Sequence, residues 1–183
     1  MIVIEGNIGS GKSEILNHLG EMGYLVKQEP IEAWTLFDDF YNNQDKYSFA
    51  FQSQVVLSYS NFSNCIIERS PRSSIQVFAK MLNKQKKMSD LQLSILCALH
   101  NELPIPDVDM LIYLDVPSSI CYDRIQQRGR KQEKNITIEY LDQIDHYYKE
   151  YINEMKKSLT NVITIDCNTK SSKELAKEIC FFI

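Results

Sequence analysis

The chain has 183 residues, enough to bury a sizeable core in one compact domain or in two small ones. Its composition, 44% hydrophobic and 24% charged, is that of an ordinary globular protein and excludes disordered and fibrous classes. A net charge of −4 excludes a surface built as a whole to hold a nucleic-acid duplex, and no apolar run approaches the roughly 20 residues that a membrane helix needs.

The sequence runs straight into a strand-like segment, with no basic leader and no cleavage site. The expected compartment is the cytosol, or the mitochondrion if a leader has been removed. The cysteines, Cys65, Cys97, Cys121, Cys167 and Cys180, are odd in number and lack metal-ligand spacing, so they read as reduced, mostly buried thiols. His18, His100 and His146 stand apart and form no cluster.

In chain order, residues 2–5 read as a strand and 12–22 as a helix. A second strand fits 24–28. A long helical region covers 47–63, and a third strand fits 64–67. Helices fit 72–84 and 89–102, the latter with Ser89 and Asp90 as cap candidates. The strongest strand, 110–114, is followed by a helix over 118–127, a long helix over 137–158, a strand over 162–165 and a helix over 171–181. No repeat or low-complexity stretch interrupts this alternation, so 1–183 reads as a single domain. It predicts an α/β fold, a five-stranded parallel sheet with helices on both faces. Glu5, Gln28–Glu29, Glu68–Arg69 and Asp115 stand at strand ends. The ligand crevice of an open parallel sheet lies at the carboxyl ends of its strands, so these charges are expected to meet in one cleft.

Gly6-Asn7-Ile8-Gly9-Ser10-Gly11-Lys12-Ser13 fits G-x-x-x-x-G-K-[ST] at every fixed position, between a strand and a helix. The glycines let the backbone curl so that N–H groups point inward at phosphate oxygens, and the helix adds its positive amino end. In such a loop Lys12 reaches the β/γ-phosphates and Ser13 ligates Mg²⁺, so ATP and Mg²⁺ are the expected cofactors. A guanine-type N-K-x-D signature is missing, and a large mechanical domain has no room. A small-molecule kinase is the reading that remains.

Around this loop, Ile4-Glu5-Gly6-Asn7-Ile8-Gly9-Ser10-Gly11-Lys12-Ser13 closely resembles the phosphate loop of the eukaryotic-type deoxynucleoside kinases, among them thymidine, deoxycytidine and deoxyguanosine kinases. The resemblance continues in order through Glu29-Pro30-Ile31-Glu32-Ala33-Trp34, Tyr41, Phe51-Gln52, Glu68-Arg69-Ser70, Leu111-Ile112-Tyr113-Leu114, Tyr122 to Arg130 and Tyr140-Leu141. It implies a P-loop kinase fold whose Arg-rich lid, about 124–135, carries Arg124, Arg128 and Arg130. It implies Glu29 as general base, Glu68 as a Mg²⁺ holder beside Ser13, and Arg69 as a bridge between the reacting 5′-oxygen and Glu29. Lys12, Arg124 and Arg128 join that catalytic group. The implied nucleoside pocket comprises Ile8, Trp34, Tyr41, Phe51, Gln52, Val55, Phe78 and Glu133, with Tyr41 and Glu133 on the sugar 3′-hydroxyl.

Two positions depart from the family pattern. Tyr59 stands where relatives carry Met or Arg, and Ser74 where several carry Asp. Tyr59 is expected to narrow the space for a two-ring base, and the pair favours a pyrimidine deoxynucleoside, thymidine or deoxycytidine, over a purine. The resemblance further implies nucleotide salvage, feedback inhibition by an end-product triphosphate, and a homodimer, with Phe62, Ile75 and Leu82 as surface candidates. No nucleic-acid or membrane partner is expected. Two alternatives are a thymidylate-type nucleoside monophosphate kinase, which the turn Asp115-Val116-Pro117 resembles, and a catalytically silent structural subunit of the same fold.

Overall fold

Strands covered on both faces need near-continuous apolar runs. The sequence supplies them at Ile2–Gly6 (β1), Ile66–Glu68 (β3), Met110–Asp115 (β4) and Val162–Asp166 (β5). The computed structural model describes residues 1–59, 65–158 and 161–183. In it, these strands and the short Val26–Lys27 (β2) form one all-parallel sheet in the order β2-β3-β1-β4-β5. β1 lies at the centre, with Ile2 facing Ile66 on one side and Met110 on the other.

Side chains alternate across the sheet with period two. Val3 and its register partner Ile67 join a core with Leu82, Leu96, Trp34 and Phe51. Ile4 and Ile66 join the larger core, with Ile15, Leu16 and Leu19 of the helix Lys12–Glu21 (α1). That core also takes Leu141, Ile144 and Tyr148 of Ile138–Ser158 (α8) and Leu175 and Ile179 of Ser172–Ile179 (α9). Each fully buried Leu or Ile contributes roughly 1.5–3 kcal/mol relative to exposure.

The remaining helices are Phe37–Asn42 (α2), Gln44–Leu57 (α3), Pro71–Ser73 (α4), Lys80–Lys84 (α5), Asp90–Glu102 (α6) and Ser118–Arg128 (α7). α2 has no counterpart in the sequence reading, because Phe37 and Phe40 are too few to show a helical period. β2 is shorter than expected. The Gln28 side chain donates to Ser13 O and Asn17 Oδ1 at 3.1 and 2.6 Å on α1, and Pro30 follows, so the chain leaves this edge ladder early. The helix expected over 72–84 is interrupted by a π segment, Ser74–Ala79, between α4 and α5. Ser89 caps α6 in a reciprocal box with Gln92, and Asp90 instead accepts from Asn83 Nδ2 at 2.8 Å. Ile75 and Leu82 are buried in the chain's own interior rather than on a surface, and Phe62 and Asn64 lie outside the described residues. No described helix is long and apolar enough to cross a membrane.

Candidate active site

The phosphate loop joins β1 to α1. Gly9 sits at φ 79°, and a Cβ there would lie 2.5 Å from the Cys121 carbonyl oxygen of α7, so only glycine fits this approach. The Asn7 amide bridges the loop and α8: Oδ1 accepts from Ile8 N of the loop at 2.8 Å and Nδ2 donates to Leu141 O at 2.9 Å. Lys12 Nζ donates to the Gly6 and Asn7 carbonyls at 3.0 and 2.9 Å. Burial, reinforced by the Arg69 charge, pulls this ammonium below the usual lysine value. The Ser13 hydroxyl donates to the Glu68 carboxylate oxygens at 2.9 and 3.0 Å, bringing two hard oxygen donors together at the end of β3.

Beside them Arg69 Nη1 meets Glu29 Oε1 at 3.1 Å, and both side chains are nearly closed to solvent (10% and 6% exposed). Arg69 adopts φ 59°, a left-handed conformation that a non-glycine residue takes only under constraint. Its guanidinium lies 4.3 Å from the Phe78 ring centre. Burial pushes the Glu29 carboxyl above the ordinary value, with Arg69 opposing the shift and Glu68 adding to it. Burial also works against the Arg69 cation, but Glu29 and the other neighbours outweigh it and hold Arg69 charged. A carboxylate of raised basicity oriented by a fixed arginine can accept a proton from a hydroxyl placed against it.

A cavity opens from this pair. The π segment presents Ser74 and Phe78 to it, and α3 presents Phe51, Gln52 and Val55. Phe40 and Phe51 stack at 4.5 Å, and Trp34 meets Phe51 edge-on at 5.7 Å. Trp34 is fixed by its Nε1, which donates to Ser58 Oγ at 3.2 Å. Gln52 Oε1 and Arg69 Nε are buried and have no hydrogen-bond partner. Unpaired polar atoms among aromatic rings suit a flat polar ligand that supplies the missing bonds.

α7 and the 3₁₀ turn Lys131–Glu133 close the other side. Arg128 donates through Nε and Nη2 to Glu133 Oε2 at 3.1 and 2.6 Å, and Arg130 Nη1 donates to Oε1 at 3.4 Å. Arg124 Nη1 donates to Ser10 O at 3.2 Å. Outside the loop, an open groove is lined by Gly11, Lys12, Ser13, Arg124 and Arg128. The groove and the cavity share Gly9, Lys12, Ser13, Glu68, Arg128 and Arg130.

The sequence profile of the deoxynucleoside kinases matches residues 2–181. The chain belongs to the deoxynucleoside kinase family. It is 34% identical over 176 residues to putative kinase protein 029R of Invertebrate iridescent virus 3, covering 92% of this chain and 88% of the relative. It is 33% identical over 191 residues to a deoxyguanosine kinase of Dictyostelium discoideum, covering 92% of this chain and 64% of that one. Its fold superposes on a solved deoxyadenosine kinase of M. mycoides, with products dCMP and a flexible dCDP bound, at a TM-score of 0.86 and 24% identity, covering 98% and 96% of the two chains. This deoxynucleoside kinase is therefore an ATP-dependent kinase with the P-loop kinase fold.

Of the residues singled out in the sequence for the nucleoside, Ile8, Glu29, Trp34, Tyr41, Phe51 and Gln52 line the kinase's cavity, as do Val55, Arg69, Ser74, Phe78 and Glu133. Tyr59 does not. It is 1% exposed and lies beneath the cavity, its hydroxyl 3.5 Å from Glu29 Oε1 and 3.3 Å from Glu68 O, so it cannot narrow the base space by contact. The strand-end charges also part company. Glu29, Glu68 and Arg69 reach the cavity, whereas Glu5 is fully buried below it and Asp115 lies off the cavity lining, beside Asp166 on β5. Ile31, Phe37, Phe40 and Tyr140 line the cavity without having been singled out. The Phe37 and Phe40 pair, three apart after Trp34, was the available signal.

Proposed function

We propose that this kinase transfers the γ-phosphoryl group of ATP to the 5′-hydroxyl of a 2′-deoxynucleoside, with thymidine or deoxycytidine favoured, as a step of nucleotide salvage. The observation that carries the reading is the buried Glu29–Arg69 pair at the junction of the aromatic cavity and the phosphate loop. A hydroxyl placed there lies beside a base and faces a phosphate cradle, which is what in-line phosphoryl transfer needs.

In this reading the loop backbone from Gly6 to Ser13 cradles the triphosphate, and Lys12 exchanges its loop carbonyls for phosphate oxygens. Ser13 and Glu68 hold Mg²⁺; their adjacent oxygen donors fit a hard cation, which supplies charge neutralisation at the phosphates. Arg69 orients Glu29, which takes the 5′-hydroxyl proton. Arg124, Arg128 and Arg130, on a lid of about 124–135 in a single 1–183 domain, answer the charge on the transferring group. Gln52 pairs with the base edge between the rings, and Tyr41 and Glu133 hold the 3′-hydroxyl. Ser74 offers no carboxylate to an exocyclic amino group, which adenine, guanine and cytosine carry and thymine lacks, and this supports thymidine among the favoured pyrimidines. Five free cysteines suit a reducing compartment such as the cytosol. The reading includes a homodimer, supported by Leu91 and Ile95, one turn apart and exposed on α6, and by exposed Leu57 on the neighbouring α3.

The test follows ADP formation from Mg·ATP against the four deoxynucleosides, deoxyuridine, the ribonucleosides and thymidine monophosphate. Deoxynucleoside turnover with pyrimidines leading in kcat/KM is expected. Turnover of the monophosphate alone overturns the acceptor, and a leading purine overturns the base preference. Glu29→Gln is expected to lower kcat by roughly 10²-fold or more, and near-normal turnover removes the base assignment.

A further inference from the structure

Glu5 is the last polar residue of β1 before the phosphate loop, and its carboxylate is 0% exposed. It neither lines the cavity nor touches the phosphate loop's groove. A buried carboxylate is costly unless it is hydrogen-bonded, so its partners matter. Oε1 accepts from the Ser70 amide at 3.0 Å and from the Ser70 hydroxyl at 2.8 Å, across 65 positions of sequence. Oε2 accepts from the Tyr148 hydroxyl of α8 at 3.2 Å. Burial pushes the Glu5 carboxyl above the usual range, against the opposing pull of the Ser70 hydrogen bonds and the Arg69 charge.

Ser70 immediately follows Arg69, whose left-handed backbone must be held by its surroundings. On one side the Arg69 amide donates to Ile4 O at 3.0 Å. On the other, Ser70 is anchored on Glu5 and also caps α4, its Oγ accepting from Ser73 N at 3.1 Å. Two adjacent residues of β1, Ile4 and Glu5, thus grip the two adjacent residues of the β3 exit. The turn between those grips is the one that sends the Arg69 side chain over Phe78 and against Glu29.

We infer that Glu5 is a positioning residue for phosphoryl transfer: through Ser70 it holds Arg69 in its left-handed conformation and so fixes the guanidinium against Glu29. The inference rests on the proposed role of the Glu29–Arg69 pair and adds a residue to it. Towards Ser70 the carboxylate works through Oε1 alone as a double hydrogen-bond acceptor, which an amide oxygen can also be, so the strut does not need the charge.

Glu5→Met keeps the side chain's length and removes the acceptor, whereas Glu5→Gln keeps an acceptor oxygen. Steady-state kinetics with Mg·ATP and the best deoxynucleoside, alongside thermal melts, decide between them. In Glu5→Met, kcat is expected to fall about tenfold or more, as misplacement of a reacting group by a fraction of an ångström does, with both KM values within about twofold of the parent. Glu5→Gln is expected to recover most of that loss. Parent-like kcat in folded Glu5→Met overturns the inference. So does a loss shared equally by kcat and the KM for ATP, which marks general damage, and so does Glu5→Gln as slow as Glu5→Met. If Glu5→Met does not fold, Ser70→Ala decides: a severalfold fall in kcat at constant KM for ATP supports the strut, and an unchanged kcat overturns it. Glu29→Gln in the same assay separates the two claims. An active Glu29→Gln removes the base itself, whereas an inactive one with parent-like Glu5→Met removes only the strut.

Discussion

The phosphate loop and the nucleoside cavity lie side by side and share Ile8, Gly9, Lys12 and Ser13, yet they are built in opposite ways. The loop is contiguous, Gly6 to Ser13, and its working groups are largely backbone N–H groups aimed by glycine conformations. The cavity gathers side chains from α2, α3, the π segment, the 3₁₀ turn after α7 and α8. A ligand of the loop is therefore set by local chain chemistry, and a ligand of the cavity by how distant elements pack. Substitutions in the two should fail in different ways.

The largest effect is expected at the loop's cationic side chain. Lys12→Ala is expected to lower kcat by about 10³-fold, the upper range for removing one charge donor from a developing oxyanion, while circular dichroism and the melt stay near the parent. Turnover within tenfold of the parent would separate the loop from the chemistry and leave it a structural turn.

In the cavity the corresponding break is Gln52→Leu. Its amide oxygen has no partner in the protein, so the change costs no internal hydrogen bond there, only one to the ligand. The nucleoside KM is expected to rise about tenfold to a hundredfold, equivalent to about 1–3 kcal/mol, with the KM for ATP unchanged. Quenching or enhancement of Trp34 fluorescence on nucleoside addition gives the same binding constant directly, since Trp34 packs edge-on against Phe51 beside Gln52. An equal rise in both KM values would place Gln52 in the fold rather than in the base site.

The same contrast explains what the sequence made legible. The strand alternation, the loop and the order of motifs gave the parallel sheet and nearly all of the cavity wall, because each depends on short-range pattern or on a family-wide motif. What escaped were features set by tertiary packing. β2 shrank because Gln28 bonds to α1 instead of continuing the ladder. The π segment is invisible in a period of 3.6, yet it brings Ser74 and Phe78 to the cavity. Tyr59 matched a base-contacting position by order but points its hydroxyl at Glu29 and Glu68 from beneath. Glu5 looked like one more strand-end charge, and only the register of β1 beside β3 shows its carboxylate under Ser70.

Glycine substitutions sharpen the comparison further, because the loop depends on backbone shape. Gly9 and Gly23 are both left-handed, at φ 79° and 97°, but a Cβ at Gly9 meets the Cys121 carbonyl whereas one at Gly23 meets nothing within 4 Å. Each Ala substitution should cost roughly 1–2 kcal/mol for the backbone alone. That corresponds to a few degrees of melting temperature in a chain this long. Gly9→Ala is expected to lose more than Gly23→Ala, and also to raise the KM for ATP. Equal melting shifts with unchanged ATP binding would show that the approach of the loop to α7 carries no weight.

The smallest expected effect lies in the pH profile and joins the two regions at Glu29. Burial, with Glu68 as a secondary contributor, raises its carboxyl even though Arg69 pulls the other way. A base works only when deprotonated, so activity should be present above that raised value and lost as the pH falls through it. The acidic limb of kcat/KM should therefore lie above the ordinary glutamate value of about 4.3. Tyr59 adds a handle that leaves the cavity wall intact. Its hydroxyl donates toward Glu29 Oε1 at 3.5 Å, a weak bond that favours the charged carboxylate. Tyr59→Phe keeps the ring and removes the donor, so the limb should move upward while the nucleoside KM at high pH stays constant. A downward shift would mean that the phenol opposes ionisation at Glu29. A raised KM with the limb in place would return Tyr59 to the role of shaping the base site.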